Sequence, residues 1–468
     1  WFESRIAHVS LPTGAEPSAL DLPVDEMRVL GYAAVDAIVE HMATIREQQA
    51  YGVPDAAALE AALGGPPPLE GTDPQTLVRT FMETVIGVGI RSDHPGMLAY
   101  IPNHPTFPGA VADLLIAGTN VFAGSWQGGP GAAVVELAVI GWIRDLLGLA
   151  PTTTGVIQSG GSMANLVGLA VARERHLADA AGRVAYMSDQ AHSSVGRALR
   201  LLGVEHVREL ATDDGFRLEP QTLAEAVADD RAAGRTPWCV AAAAGATNTG
   251  SVDDLRGLAA VAATEGLWLH VDGAYGGFLA LTDRGRARMP GLELADSLVL
   301  DAHKSLYVPI AAGIVLIREG EQLERAFSVR PEYLRDAYAL GGVSFSDRGP
   351  ELTRPFRALK VWMTIKSFGF PQLAAALDRS LDLAEQAARE IDDDPGLEVV
   401  TGPWLGMVTF RSTRGVPAVD LVQAVERSGR GMISTTELRG ETVARICVLG
   451  HRTQIEDIRA VLAAARTV

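Results

Sequence analysis

The stretch from Leu267 to Tyr307, LWLHVDGAYGGFLALTDRGRARMPGLELADSLVLDAHKSLY, constrains the fold more than any other part of the chain. Apolar runs at Leu267–Val271 and Ser297–Leu300 each end in a carboxylate, Asp272 and Asp301. Short uninterrupted apolar runs of this kind read as buried parallel strands, and the carboxyl ends of such strands open into a common crevice. Lys304 follows the second strand by a few residues. A lysine placed there loses hydration, which disfavours the ammonium form and leaves an amine able to condense with an aldehyde. Each piece alone has an ordinary structural explanation, because lysines after strands are usually solvated and strand-end aspartates often cap helices or turns.

Other segments feed the same crevice. Thr154–Ala178, TGVIQSGGSMANLVGLAVARERHLA, reads as a strand, a turn at Gly160 and Gly161, and a helix starting near Ser162. Free backbone N–H groups at such a helix start, together with the Ser162 hydroxyl, form an anion site. The same residues approximate the G-x-S-x-G elbow of serine hydrolases, but the final glycine is absent and no triad partner is evident. Val184–Met187 predicts a further strand, and Ser188-Asp189-Gln190-Ala191-His192-Ser193-Ser194 follows it. Trp238–Ala244 predicts another, leading into a polar turn at Thr247–Thr249 that either faces the crevice or caps a helix over Val252–Ala263.

The combination of Asp272, Ala274 and Tyr275 with Asp301-Ala302-His303-Lys304 resembles the group II pyridoxal-phosphate-dependent decarboxylases, the aromatic-amino-acid, histidine and glutamate decarboxylase family. The motif SDQAHSS at 188–194 is closely similar to that family's. The resemblance implies a large domain of the type I, aspartate aminotransferase-like α/β fold with a mostly parallel sheet. It also implies pyridoxal 5'-phosphate bound covalently on Lys304 and decarboxylation of an L-amino acid, most simply an aromatic one, to an amine and CO2. Under it, Asp272 keeps the pyridine nitrogen protonated, Ala274 lies under the ring and His192 stacks on the opposite face. Gly160, Gly161, Ser162, Thr247, Asp301 and His303 complete the cofactor site. Tyr100, Ile101 and Trp126 become candidates for a substrate wall, although ordinary core packing explains them equally. Tyr333 is the expected loop acid, with Tyr338 as its alternative, and the polar loop 328–350 that carries them is expected to act as a lid. Arg354 is expected to reach the active-site carboxylate, while Arg357 could make a structural ion pair. The same resemblance leaves open an aldehyde synthase that decarboxylates and then oxidatively deaminates, or a decarboxylase of a non-aromatic amino acid on the same fold, and a non-enzymatic scaffold would tolerate loss of Lys304 or Asp272.

Chain organisation follows from punctuation. Apolar positions recur at helical spacing over Val24–Gln48, Gly64-Gly65-Pro66-Pro67-Pro68 breaks the pattern, and Asp73-Pro74 opens another helix to about Gly87. These residues, 1–90, predict a helical arm with few ways to bury its apolar face by itself; the resemblance implies that it wraps a second copy in a homodimer. Residues 91–369 form the expected large domain and 370–468 a smaller α+β domain. With 40 basic and 57 acidic residues the net charge is −17, which disfavours nucleic acid and anionic membrane surfaces as partners. The uncharged run Leu114–Val135 contains Asn120, Gln127, Pro130 and several glycines and makes a poor membrane span. Two distant cysteines, Cys239 and Cys447, indicate neither a disulfide framework nor a metal site and fit a reducing cytoplasm, and the first residues lack an apolar leader core.

Overall fold

The computed structural model describes residue 18 and residues 20–176, 182–329 and 341–468, which fall into two compact units. The first, up to Gln48 together with Gly52–Ile90, contains helices α1 (Val24–Thr44), α2 (Ala56–Leu63) and α3 (Pro74–Thr80). Asp55 and Asp73 cap α2 and α3 by accepting backbone N–H bonds, as short acidic side chains at helix starts do. No residue of the three helices is buried, and Met27, Val29, Tyr32, Val39, Leu77 and Phe81 stand exposed nearby or within them. The helix expected to run on from Pro74 ends at Thr80 and widens into a π-turn over Phe81–Val85.

The second unit, Gln49–Tyr51 with Arg91–Val468, carries the sheet. After α4 (Phe107–Thr119) and α5 (Pro130–Leu146) come strands β1 (Thr154–Gln158), β2 (Arg183–Ser188), β3 (His206–Leu210), β4 (Thr236–Ala243), β5 (Trp268–Asp272), β6 (Ser297–Asp301) and β7 (Gly313–Ile317). Their spatial order is β1-β7-β6-β5-β4-β2-β3. The pairs from β6 across to β3 are all parallel, and β7 runs antiparallel between β1 and β6. The strands are almost wholly buried, which explains why they read as apolar runs without alternation. Between them run α6 (Gly161–Arg175), α7 (Ser193–Leu201), α8 (Pro220–Ala232) and α9 (Leu255–Glu265). Sheet and helices share one large apolar core. The topology is that of the type I pyridoxal-phosphate fold, as the resemblance implies.

Helix α10 spans Ala358–Asp392 and bends at Gly369, whose φ of 72° lies where glycine is favoured, two residues before Pro371. Beyond the bend its apolar side packs on a four-stranded antiparallel sheet in the order β8-β9-β11-β10, made of β8 (Leu397–Trp404), β9 (Met407–Ser412), β10 (Ser434–Leu438) and β11 (Glu441–Cys447). Helices α11 (Ala418–Ser428) and α12 (Ile455–Ala465) close this second core. The sequence reading missed β10, a strand with alternating exposed positions. Among the described residues no helix is long and apolar enough to cross a membrane. Cys239 and Cys447 are both buried and free.

Three buried imidazoles resist protonation. Burial holds His270 and His451 down to about 4 and His104 well below its ordinary value. An unfolded chain takes up these protons near 6.5 and the native one does not, so each ring removes stability as the pH falls from 6.5 toward 4. Buried Asp253, pushed up to about 7, acts in the opposite sense across that whole window, so one ring is isolated only by comparing a variant with the wild type. In urea unfolding at about pH 7 and about pH 5, His451→Gln should lose less stability on acidification than the wild type, by up to ~1.4 kcal/mol per pH unit. A difference that stays flat with pH contradicts a neutral native ring.

Candidate active site

Because β1, β2, β4, β5 and β6 all run the same way, the turns after them meet at one edge of the sheet. A cavity of about 380 Å³ opens there, lined by Gly160, Gly161, Ser162, His192, Thr247, Asp272, Ala274, Asp301, His303 and Lys304. Ten of the expected site residues are thus brought together from segments far apart in sequence. Asp272 ends β5, Asp301 ends β6, and the register that places Asp272 beside Val299 sets the two carboxylates on neighbouring strands.

Asp301 is almost fully buried, and its Oδ2 lies 2.9 Å from Lys304 Nζ. The lysine belongs to a single helical turn, Ala302–Ser305, that starts at Asp301 and directs it back over the strand end. His303, lowered by burial, accepts a 3.3 Å bond at Nδ1 from the Ala312 N–H. Asp272 accepts 2.9 Å from Asn165 Nδ2 and 3.1 Å from the Ala274 N–H.

At the start of α6, Gly160 and Gly161 have no side-chain cap, so the leading N–H groups are free for a ligand. A Cβ at Gly161 would lie 2.9 Å from Asp301 Oδ2 and 3.0 Å from the Ala274 Cβ, and one at Gly313 would lie 2.4 Å from the Gly160 carbonyl carbon. Glycine here is a space requirement. His192 caps α7 at the far wall, accepting from the Ser194 N–H. An uncapped helix start for a phosphate, a strand-end carboxylate for a ring nitrogen and an amine for an aldehyde are the donor set pyridoxal phosphate requires, and the residues present fit it.

The remaining expected residues lie elsewhere. Arg354 does not reach the cavity: it is buried, paired with Glu136 at 2.8 Å, and donates to the carbonyls of Ile157 at 2.7 Å and Ala123 at 3.2 Å. It ties α5 to β1, so its expected contact with an active-site carboxylate is corrected to a structural role. Arg357 pairs with Glu351, the alternative left open for it. The Thr247–Thr249 turn does not cap α9; that helix begins at Leu255 and is capped by Asp254, which accepts from the Gly257 N–H. Tyr100 is 59% exposed, with φ of 50°, Ile101 is half-buried, and Trp126 packs under Gly342; none of the three is among the cavity's lining residues. Tyr333 and Tyr338 lie outside the described residues. Asn165, Ser194, Gly245 and Tyr275 line the cavity and were not foreseen as site residues. Asn165 carried a usable signal, a lone amide on an otherwise apolar helix face.

The α/β sheet with a lysine, two carboxylates and an anion cradle at its carboxyl edge defines a pyridoxal-phosphate-dependent enzyme, and the matches that follow make it a carboxy-lyase. Comparison with known proteins agrees: residues 70–413 match the model of the pyridoxal-dependent decarboxylase conserved domain. The chain is 40% identical to an aromatic-L-amino-acid decarboxylase of Bacillus atrophaeus over 94% of both chains, and 30% identical to a phenylacetaldehyde synthase of Arabidopsis thaliana over 91% of this chain and 92% of that one. The crystal structure of Oryza sativa TDC with PLP and tryptamine superposes with a TM-score of 0.90 at 25% identity, covering 97% of this chain and 98% of that chain. The chain belongs to the pyridoxal-dependent decarboxylase family.

If Arg354 serves Glu136, Arg354→Ala strands a buried carboxylate and should cost ~3–5 kcal/mol in urea unfolding, and the double variant Arg354→Met, Glu136→Met should recover much of it. A double variant that is stable but shows a KM for amino acid raised about tenfold or more would restore the substrate-binding role.

Proposed function

We propose that the protein decarboxylates an aromatic L-amino acid to its amine, with the cofactor held covalently at Lys304. The observation that carries this is that the Lys304 amine, the Asp272 carboxylate and the glycine cradle of α6 face one cavity. Support for an aromatic substrate comes from the names of the Bacillus atrophaeus relative and of the rice structure with tryptamine.

In this reading the free N–H groups at the start of α6, with the Ser162 hydroxyl, hold the phosphate, and Thr247 and His303 border the ring. Asp272, oriented by Asn165 and the Ala274 N–H, keeps a proton on the ring nitrogen. Bound pyridoxal phosphate supplies an electron sink for the pair left when CO2 departs. Asp301, 2.9 Å from Lys304 Nζ, steadies the amine before the cofactor arrives. Ala274 and His192 flank the ring, and His192 orients the substrate carboxylate. Because any bond at the α-carbon is labile in such a site, holding the carboxylate across the ring plane is what selects loss of CO2. Tyr333 then returns a proton to the carbon.

We further propose a cytoplasmic homodimer. The helices of the first unit bury none of their residues, and their exposed Met27, Tyr32, Val39 and Phe81 are the apolar surface a second copy would cover. Tyr100, Ile101 and Trp126, away from the cavity within one chain, form the substrate wall in that assembly.

Borohydride reduction and peptide mapping should place the cofactor on Lys304, and Lys304→Ala should abolish amine production. Asp272→Asn, which keeps the shape and removes the charge, should lower kcat by ~10²–10³. Assays with aromatic amino acids should release CO2 and amine without hydrogen peroxide or ammonia. Peroxide and aldehyde in equal amounts would assign the aldehyde-forming reaction named for the Arabidopsis relative.

A further inference from the structure

Behind the cavity runs a continuous line of hydrogen-bonded side chains, from buried Trp268 to exposed His192, of which the assignments above leave Trp268, Ser297, His270 and Ser194 without a role. Trp268 Nε1 is 2.8 Å from Ser297 Oγ, and Ser297 Oγ is 2.7 Å from His270 Nδ1. His270 Nε2 is 2.9 Å from Asn165 Oδ1. Asn165 Nδ2 lies 2.9 Å from both Asp272 Oδ2 and Ser194 Oγ, and Ser194 Oγ lies 2.7 Å from His192 Nδ1. Ser297, His270, Asn165 and Ser194 are each at most 2% exposed.

Chemistry at its ends fixes every proton. Indole N–H only donates and an ionised carboxylate only accepts. Trp268 therefore donates to Ser297, whose hydroxyl must donate onward to His270 Nδ1. His270, kept neutral by burial at about 4, carries its one proton on Nε2 and gives it to Asn165 Oδ1. That orients the amide, which the acceptor Asp272 also demands, so both N–H groups point to Asp272 and Ser194. The Ser194 hydroxyl keeps its own proton free to donate to His192 Nδ1. A second donor, the Ser194 backbone N–H, lies 3.2 Å from the same nitrogen. With two donors aimed at Nδ1, the proton of His192 sits on Nε2.

We infer that Asn165 is a positioning residue, whose amide, oriented by His270, holds the Asp272 carboxylate and, through Ser194, keeps the His192 Nδ1 an acceptor and its N–H on Nε2. His192 then offers the cavity an N–H donor suited to a substrate carboxylate and has no free lone pair with which to act as a base. Two groups that would meet the cofactor, the Asp272 carboxylate and the His192 imidazole, are thus set by one amide. The inference rests on the site reading proposed above.

Long-range 1H–15N correlation of the [15N]histidine-labelled holoenzyme, with His192 identified by the signal lost in His192→Gln, tests the tautomer without any folding question. An Nε2–H pattern is expected; an Nδ1–H or doubly protonated ring overturns the inference. Asn165→Leu should shift the His192 Nδ1 frequency and raise the pyridoxal phosphate dissociation constant about tenfold, the scale of one charge-assisted hydrogen bond. His270→Phe should move both readouts the same way, and His270→Gln, which keeps an amide N–H for Asn165, should restore part of the loss. Circular dichroism confirms that the compared proteins are folded. Folded Asn165→Leu or His270→Phe with both readouts unchanged overturns the inference. Peptide mapping separates the two readings: cofactor on a residue other than Lys304 sinks the site assignment, whereas cofactor on Lys304 with a Nδ1–H His192 sinks this one alone.

Discussion

Two carboxylates stand at the ends of adjacent buried strands, and much of the surrounding architecture exists to keep them there. Removing a carboxylate from water is costly unless opposite charge or hydrogen-bond donors replace the lost hydration. Asp301 Oδ2 meets that need with Lys304, delivered by the helical turn that starts at Asp301 itself, while its buried Oδ1 has no partner among the described residues. Asp272 meets it with the Asn165 amide and the Ala274 N–H. The partners that lower the cost of burial are the groups the chemistry uses or depends on, so stability and function draw on the same contacts.

Close approach of backbone to these acids follows from size. Gly313 is paired in register with both Gln158 and Asp301, which places β7 between the anion turn and the second carboxylate. Side chains at Gly161 or Gly313 would collide with Asp301, so the start of α6 can lie against the strand ends only with glycine at those points. The antiparallel β7 has a second consequence: its first residue, not its last, lies at the functional edge, and the turn before it supplies the Ala312 N–H to His303.

Arg354 shows the same electrostatics put to a different use. Its guanidinium forms a fork with Glu136 and two carbonyls beneath the site, and stacks near the Phe345 ring at 5.1 Å. Such a bidentate pair in a dry interior holds α5, β1 and the segment before α10 in one arrangement. Both terminal nitrogens of this cation are committed within the fold, and its Nε–H is buried without a partner among the described residues.

Local information decided a good deal. Apolar runs ending at Asp272 and Asp301, the Gly160-Gly161 turn and the helices around them are short-range properties, because burial on both faces of a parallel strand leaves a continuous apolar stretch and a tight anion turn requires glycine. From these, with the Lys304 and His192 motifs, the fold and the cofactor class were legible before any coordinates. What the linear chain could not disclose were the partners of polar side chains. Whether Arg354 met a substrate or Glu136, and that Asn165 and His270 stand between Trp268 and Asp272, depended on strand register and on how α6 crosses the sheet. The Arg354–Glu136 and Asn165–His270 contacts join residues more than a hundred positions apart, and hydrogen bonds reach only about 3 Å, so only the folded arrangement selects among the donors and acceptors that composition allows.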